Sequence, residues 1–186
     1  AGNAQGNQFR VNGAASDDQQ FASVSMGANG SFVVTWTERG SEPGSANVYA
    51  RCYDASGLAL SDATLVNSHT AGDQMYSSVA MDASGNFVVT WSSEDQDGSG
   101  WGVYAQRFDA SGNRVGSEFR VSTTTSSDQM FSRIAMDSDG AFTIVWQSQD
   151  AGGWDVFGQR YSAAGVAQGG EFRVNSTTAG DQQNVN

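Results

Sequence analysis

Apolar residues in this chain come in short alternating bursts and never in a helical stripe. The clearest burst is FVVTWS at 87–92: Phe87, Val89 and Trp91 fall on one side of an extended strand and Val88 on the other. A strand that is apolar on both faces must lie between two layers. Around it the pattern predicts three more strands in the same unit. Ser78–Asp82 precedes it and closes in the turn ASGN. Gly102–Asp109 follows the Gly/Asp-rich loop EDQDGSG, and Glu118–Ser122 follows the turn ASGNRVGS. Val, Phe, Tyr, Trp and Thr fill the strands, and Gly, Asp, Asn and Ser punctuate them. No window carries a 3.6-residue period, so essentially no helix is expected.

This four-strand unit recurs. FVVTW at 32–36 and 87–91 returns as FTIVW at 142–146, which spaces Trp36, Trp91 and Trp146 by 55 residues. VYARCYD (48–54), VYAQRFD (103–109) and VFGQRYS (156–162) align downstream, and FRVN (9–12), LVN (65–67), FRVS (119–122) and FRVN (172–175) mark a fourth segment. Polar linkers, GDQM at 72–75, SDQM at 127–130 and GDQQ at 180–183, separate the units. An all-β chain of tandem four-stranded antiparallel units of this length reads as β-propeller blades, with a linear β repeat array as the alternative. The expected division is an extra outer strand and linker at 1–20, blades at 21–67, 68–122 and 123–175, and at 176–186 a linker to a next repeat. Three blades do not close a propeller, which typically needs about 4–8. The chain is therefore expected to assemble, a dimer giving six blades, with residues 8–12 as an outer strand for a neighbouring blade. A cut from a longer array is the alternative.

Composition narrows the function classes. The 186 residues carry 23 glycines and one proline, and they carry a formal net charge of -11. All the basic residues are Arg. So acidic a surface excludes nucleic acid and disfavours an anionic membrane, and no apolar run is long enough for a membrane span. Cys52 is the single cysteine, so no intrachain disulfide forms. An acidic, Lys-free, Gly/Ser/Thr/Asn-rich chain points to secreted or cell-surface material.

The units FVVTWSSEDQDGSGWGVYAQRFDASGNRVGSEFRVS and FTIVWQSQDAGGWDVFGQRYSAAGVAQGGEFRVN resemble repeats of very large secreted bacterial proteins of the calcium-rich, adhesin type. The resemblance implies an extracellular, non-catalytic surface role. The nonapeptide G-G-x-G-x-D of such proteins is missing here.

Catalysis finds little support in the pattern. His69 is the lone histidine and sits in a linker, no G-x-S-x-G is present, and the acids that would serve as a glycosidase pair lie in repeated turns. The reading is therefore not an enzyme, but an extracellular adhesion or glycan-binding module. A purely structural self-assembling unit comes next, and a polysaccharide-acting enzyme a distant third. Trp101 and Trp154 end the loop after strand two in DGSGWG and DAGGWD, where a flat ring between Gly and Asp suits a sugar. With Asp150, Arg107 and Arg160 they are the candidate ligand residues, and blade-to-blade packing is the competing role for the two rings. Calcium is the candidate cofactor. Asp95 and Asp97 in one loop, and Asp137 and Asp139 in another, place oxygen ligands at alternate positions, and a plain Asx turn is the competing reading.

Overall fold

The computed structural model describes residues 3, 6–13, 17–177 and 179–183. Twelve strands form three four-stranded antiparallel sheets, each a simple meander. Blade 1 holds β1 (Asp18–Met26), β2 (Phe32–Arg39), β3 (Asn47–Tyr53) and β4 (Thr64–Leu65). Blade 2 holds β5 (Gln74–Met81), β6 (Phe87–Glu94), β7 (Trp101–Phe108) and β8 (Arg114–Arg120). Blade 3 holds β9 (Gln129–Met136), β10 (Phe142–Asp150), β11 (Gly153–Tyr161) and β12 (Phe172–Arg173). The first strands of the three blades touch: β5 contacts both β1 and β9. They are the inner strands, and β4, β8 and β12 are the outer ones. The all-β fold of stacked propeller blades is thus the observed one.

The blades pack through one kind of junction, built twice. Between blades 1 and 2, Val33, Val48, Ala50 and Val66 form a flat face beneath Val79, Phe87, Val89, Trp91, Tyr104 and Phe108. Between blades 2 and 3, Val88, Val103, Ala105 and Val121 play the first part, and Phe142, Ile144, Trp146 and Tyr161 the second. Blades 1 and 2 therefore each have a flat Val/Ala face, and every blade has an aromatic face that carries its strand tryptophan. Both faces are apolar, as the sequence of the second strand requires. Trp36 and Trp91 bury their indole N–H groups without a partner, so packing alone accounts for them.

Two boundaries differ from expectation. The inner strand starts at Gln74, not Ser78, because the presumed linker GDQM pairs with β6 through a bulge between Met75 and Ser78. The same bulge interrupts β1 between Gln20 and Ser23. The outer strand β8 starts at Arg114, since the turn after Asp109 needs only four residues. There Asp109 accepts the N–H groups of Ser111 and Asn113, both at 2.9 Å. The Asn113 amide and these N–H groups hold its carboxyl below the ordinary range. Residues 9–12, expected as an outer strand, form no strand.

Replacement of Trp91 by Ala opens a cavity in the blade 1–blade 2 junction, and urea unfolding is expected to show a loss of about 3–5 kcal/mol. Burial, and then the charge of Glu171, push the Tyr161 phenol up to about 12. The unfolded chain releases that proton at lower pH, near 10. Stability should therefore fall as pH rises from 10 towards 12, and Tyr161→Phe should flatten that fall in pH-dependent melting curves.

Candidate functional site

At one end of the sheets lie the linkers into the inner strands and the loops between second and third strands. The linker aspartates clamp this end. Asp73 accepts the Ala46 N–H at 3.1 Å and pairs with Arg39 at 2.8 Å. Asp128 accepts the Trp101 N–H at 3.1 Å, and Asp181 that of Trp154 at 3.2 Å. Each blade's entry thus caps the third strand of the blade before it, which explains why this aspartate recurs in every linker.

Just past the clamp, each inner strand bulges, and the bulged residue is an aromatic in the left-handed region: Phe21 at φ 53°, Tyr76 at 59° and Phe131 at 56°. A bulky L residue held there costs about 1–2 kcal/mol. A strained conformation that recurs at one place three times must be held by its surroundings, and bulges characteristically re-aim a side chain. Here the re-aimed rings of three sheets meet. Phe21 and Tyr76 lie with centroids 4.6 Å apart, Tyr76 and Phe131 4.7 Å, and Trp101 stands 6.3 Å from Tyr76. Phe21, Tyr76 and Phe131 line a cleft of about 250 Å³ with Ser23, Ser78 and Arg133, and Trp101 stands behind Tyr76 outside that lining. The result is a file of rings tilted on one another by 52–57°, flanked by hydroxyls and one guanidinium.

The sequence-predicted residues fall into three places. Trp101 and Trp154 are half-buried at the clamped end, and Trp101 joins the file. Asp150 lies at the tip of the β10–β11 hairpin, next to Gln149, which pairs Trp154, and caps the Gly152 N–H at 2.7 Å. Arg107 lies about 20 Å further along β7 from Trp101, at ~3.3 Å per residue. It donates to the Ala164 carbonyl of blade 3 at 2.7 Å. Arg160 is its equivalent in blade 3, exposed at the same far end. The two arginines therefore do not converge on the tryptophans.

The candidate metal ligands also separate. Asp137 Oδ1 accepts the Asp139 and Ala141 N–H groups at 3.0 and 2.9 Å, an Asx turn at the far end of blade 3 in which Gly140 takes φ +89°. Asp95 and Asp97 share the loop that leads into Trp101. Asp95 caps the Gly100 N–H at 3.1 Å, and Asp97 Oδ1 that of Ser99 at 3.3 Å. Asp97 Oδ2 is buried without a partner. Among the described residues, no three His, Cys, Asp or Glu side chains gather as a metal cluster.

Sequence reasoning missed the file. Its trace is the aromatic of DQQF, DQMY and DQMF, which recurs inside a stretch otherwise read as polar linker.

No protein-family model matches the chain, and no curated protein matches it. Solved structures do. An endo-arabinase from Bacteroides thetaiotaomicron is 15% identical with a TM-score of 0.54, covering 90% of this chain and 66% of that one. A family 117 glycoside hydrolase from Zobellia galactanivorans is 8% identical with a TM-score of 0.50, covering 87% of this chain and 57% of that one. At such identities the likeness is one of fold, and this chain spans less than two thirds of the length of either. The fold class is thereby borne out: these are all-β propeller blades.

The likeness to glycoside hydrolases corrects the expectation of a non-catalytic adhesion or glycan-binding module, with its structural alternative, and the exclusion of an enzyme. The exclusion rested on acids scattered through repeated turns. Repetition is the ordinary state of this fold, and the same fold carries glycosidase chemistry in the two relatives.

The strained φ at Tyr76 gives a direct check on the bulge. Tyr76→Gly and Tyr76→Ala both remove the ring, but only Gly is at ease at φ 59°. The Gly variant should be the more stable by about 1 kcal/mol in denaturant titration.

Proposed function

We propose that this chain acts on polysaccharide, as part of a secreted glycoside hydrolase of the propeller type. The observation that carries the reading is the aromatic file at the meeting of three inner strands. Sugar rings present flat C–H faces to aromatic rings and hydroxyls to polar neighbours, and a strip of Phe21, Tyr76, Phe131 and Trp101 beside Ser23, Ser78 and Arg133 offers both.

Glycosidic hydrolysis uses two carboxyl groups, one as acid and one as base or nucleophile. This reading assigns them to Asp95 and Asp97. Both stand on the loop that delivers Trp101 to the file. The unpartnered Oδ2 of Asp97 is buried beside Gly102 and Tyr104, so this role requires the loop to open and turn it to the file. A φ of 56° at Asp95 is a further sign of a loop held in a particular shape.

The test is release of reducing ends from arabinan and from a panel of plant and algal polysaccharides. Hydrolysis of at least one substrate is expected. Asp97→Asn should reduce it more than a hundredfold at unchanged melting temperature, and Trp101→Ala should raise KM about tenfold, as loss of one good stacking contact does. If no polysaccharide in the panel is cleaved, the reading fails. Cleavage that survives Asp97→Asn unchanged would remove the assigned carboxylate.

A further inference from the structure

Blades 1 and 3 each leave one face without a neighbour, and these two faces are the two halves of the junction that the chain already builds twice. On blade 1 the open face is the aromatic one. Val24 and Met26, which pair in register with Val34 and Phe32, are 63% and 65% exposed. The equivalent of Val24 in blade 2, Val79, is 6% exposed within the blade 1–blade 2 junction. On blade 3 the open face is the flat one. Val156 and Val174 stand where Val103 and Val121 stand in blade 2, and Val174 is 53% exposed against 3% for Val121.

The polar contacts are halved in the same way. Arg107 of blade 2 reaches the Ala164 carbonyl in the next blade's turn. Its equivalent in blade 3, Arg160, is exposed, and its guanidinium has no partner among the described residues. The matching turn carbonyl in blade 1 is that of Ser56. Asp73 and Asp128 cap the preceding blade's third strand, whereas their equivalent Asp18 is exposed and its carboxylate has no partner among the described residues.

The open face of blade 1 and the open clamp of blade 3 are also occupied by short segments that imitate the missing blade. Phe9 meets Tyr53 at 5.5 Å, as Phe119 of blade 2 meets Tyr161 of blade 3 at 5.5 Å. Val11 packs with Val34 and Trp36 as Val121 packs with Trp146. Its carbonyl accepts from Arg51 at 3.0 Å and Tyr53 at 2.9 Å. FRVN at 9–12 thus occupies the place of a preceding blade's outer strand without being part of a sheet. At the other end Asp181 and Gln182 bond to Trp154 as Asp73 and Gln74 bond to Ala46.

We propose that the occupant of these faces is a second copy of this chain, docked head to tail. Blade 3 of one copy takes the position of the blade before blade 1 of the other. FRVN at 172–175, identical in sequence to 9–12, replaces that plug over Trp36. Asp18 replaces Asp181 at the Trp154 N–H, and Arg160 reaches the partner's Ser56 carbonyl. The contact is heterologous, and two copies that satisfy both junctions form a closed ring. Closure would also continue the inner wall on which the aromatic file lies, although the docking stands independently of any activity on polysaccharide. Thr143 and Gly158 stand on the open face of blade 3 where blades 1 and 2 have Val and Ala, so the contact is weaker than the internal junctions.

The experiment is light scattering on the full chain after size exclusion, over a range of concentrations in about 0.15 M salt, where long-range repulsion between acidic chains is screened. A species of twice the 19.5 kDa chain mass is expected. Met26→Lys and Val174→Lys should each leave only monomer. Both side chains are exposed in the single chain, so the melting temperature of the monomer should not move, and both changes reduce the negative charge, so repulsion cannot explain the loss. An equimolar mixture of the two variants should regain a species of twice the chain mass, because each variant retains the half that the other lacks. A wild-type chain that is monomeric at every concentration overturns the proposal. So does a dimer that survives either substitution, or a mixture no more associated than its components.

Discussion

The aromatic face of each blade must lie on a flat Val/Ala face, and the rest of the molecule follows from that need. A four-stranded sheet of this size has no core of its own. Trp91 and Trp146 are fully buried only because Val33, Val48 and Ala50, or Val88, Val103 and Ala105, close over them from the blade before. The valine of the outer-strand motif completes the seal in each case, as Val66 and Val121 show. Stability in such an array is a sum of blades and junctions, so no blade stands without its neighbour. The need is strong enough that residues 9–12 serve it at the exposed end, where no sheet is present to carry them.

Apolar packing sets which faces meet, and polar contacts set their alignment. The linker aspartates clamp one end of each junction, and turn contacts such as Arg107 to Ala164 hold the other. Just past the clamp position each inner strand bulges, in β1 as well, where Asp18 caps no preceding blade. The bulge turns Phe21, Tyr76 and Phe131 out of the sheet pattern and towards one another. The candidate site therefore comes from a bulge that every blade carries at the same place in its inner strand, and the stacking of the blades brings the three rings together. Its chemical distinctiveness comes from residues that break the repeat: Trp101 where blade 1 has Ala46, and Arg133 where the other inner strands have Ser23 and Ser78.

Departures from the repeat are informative elsewhere too. Cys52 stands in the place of Arg107 and Arg160 and is half-buried near Gly112, where burial, and then the charge of Asp109, raise the pKa of its thiol. A thiol so disposed is a packing residue. The more polar Thr143 and the smaller Gly158 lie on the one flat face that meets no blade within the chain. An apolar face that must also survive in water is better served by such residues than by Val and Ala.

Much of this was legible from the residues in order. Spacing of the tryptophans by 55 residues, alternation in FVVTW and the turn signals ASGN and SDG were enough for the strands, the blades and the burial of Trp36, Trp91 and Trp146, because period-2 patterning and turn chemistry are local properties. The repeat also showed that three blades leave two faces over. The bulge was not legible, since a left-handed Tyr or Phe has no local preference behind it. Nor was the meeting of rings from three sheets, or the plugging of blade 1 by Phe9 and Val11. Those are distances between residues far apart in the chain, and only the stacking of one blade on the next decides them.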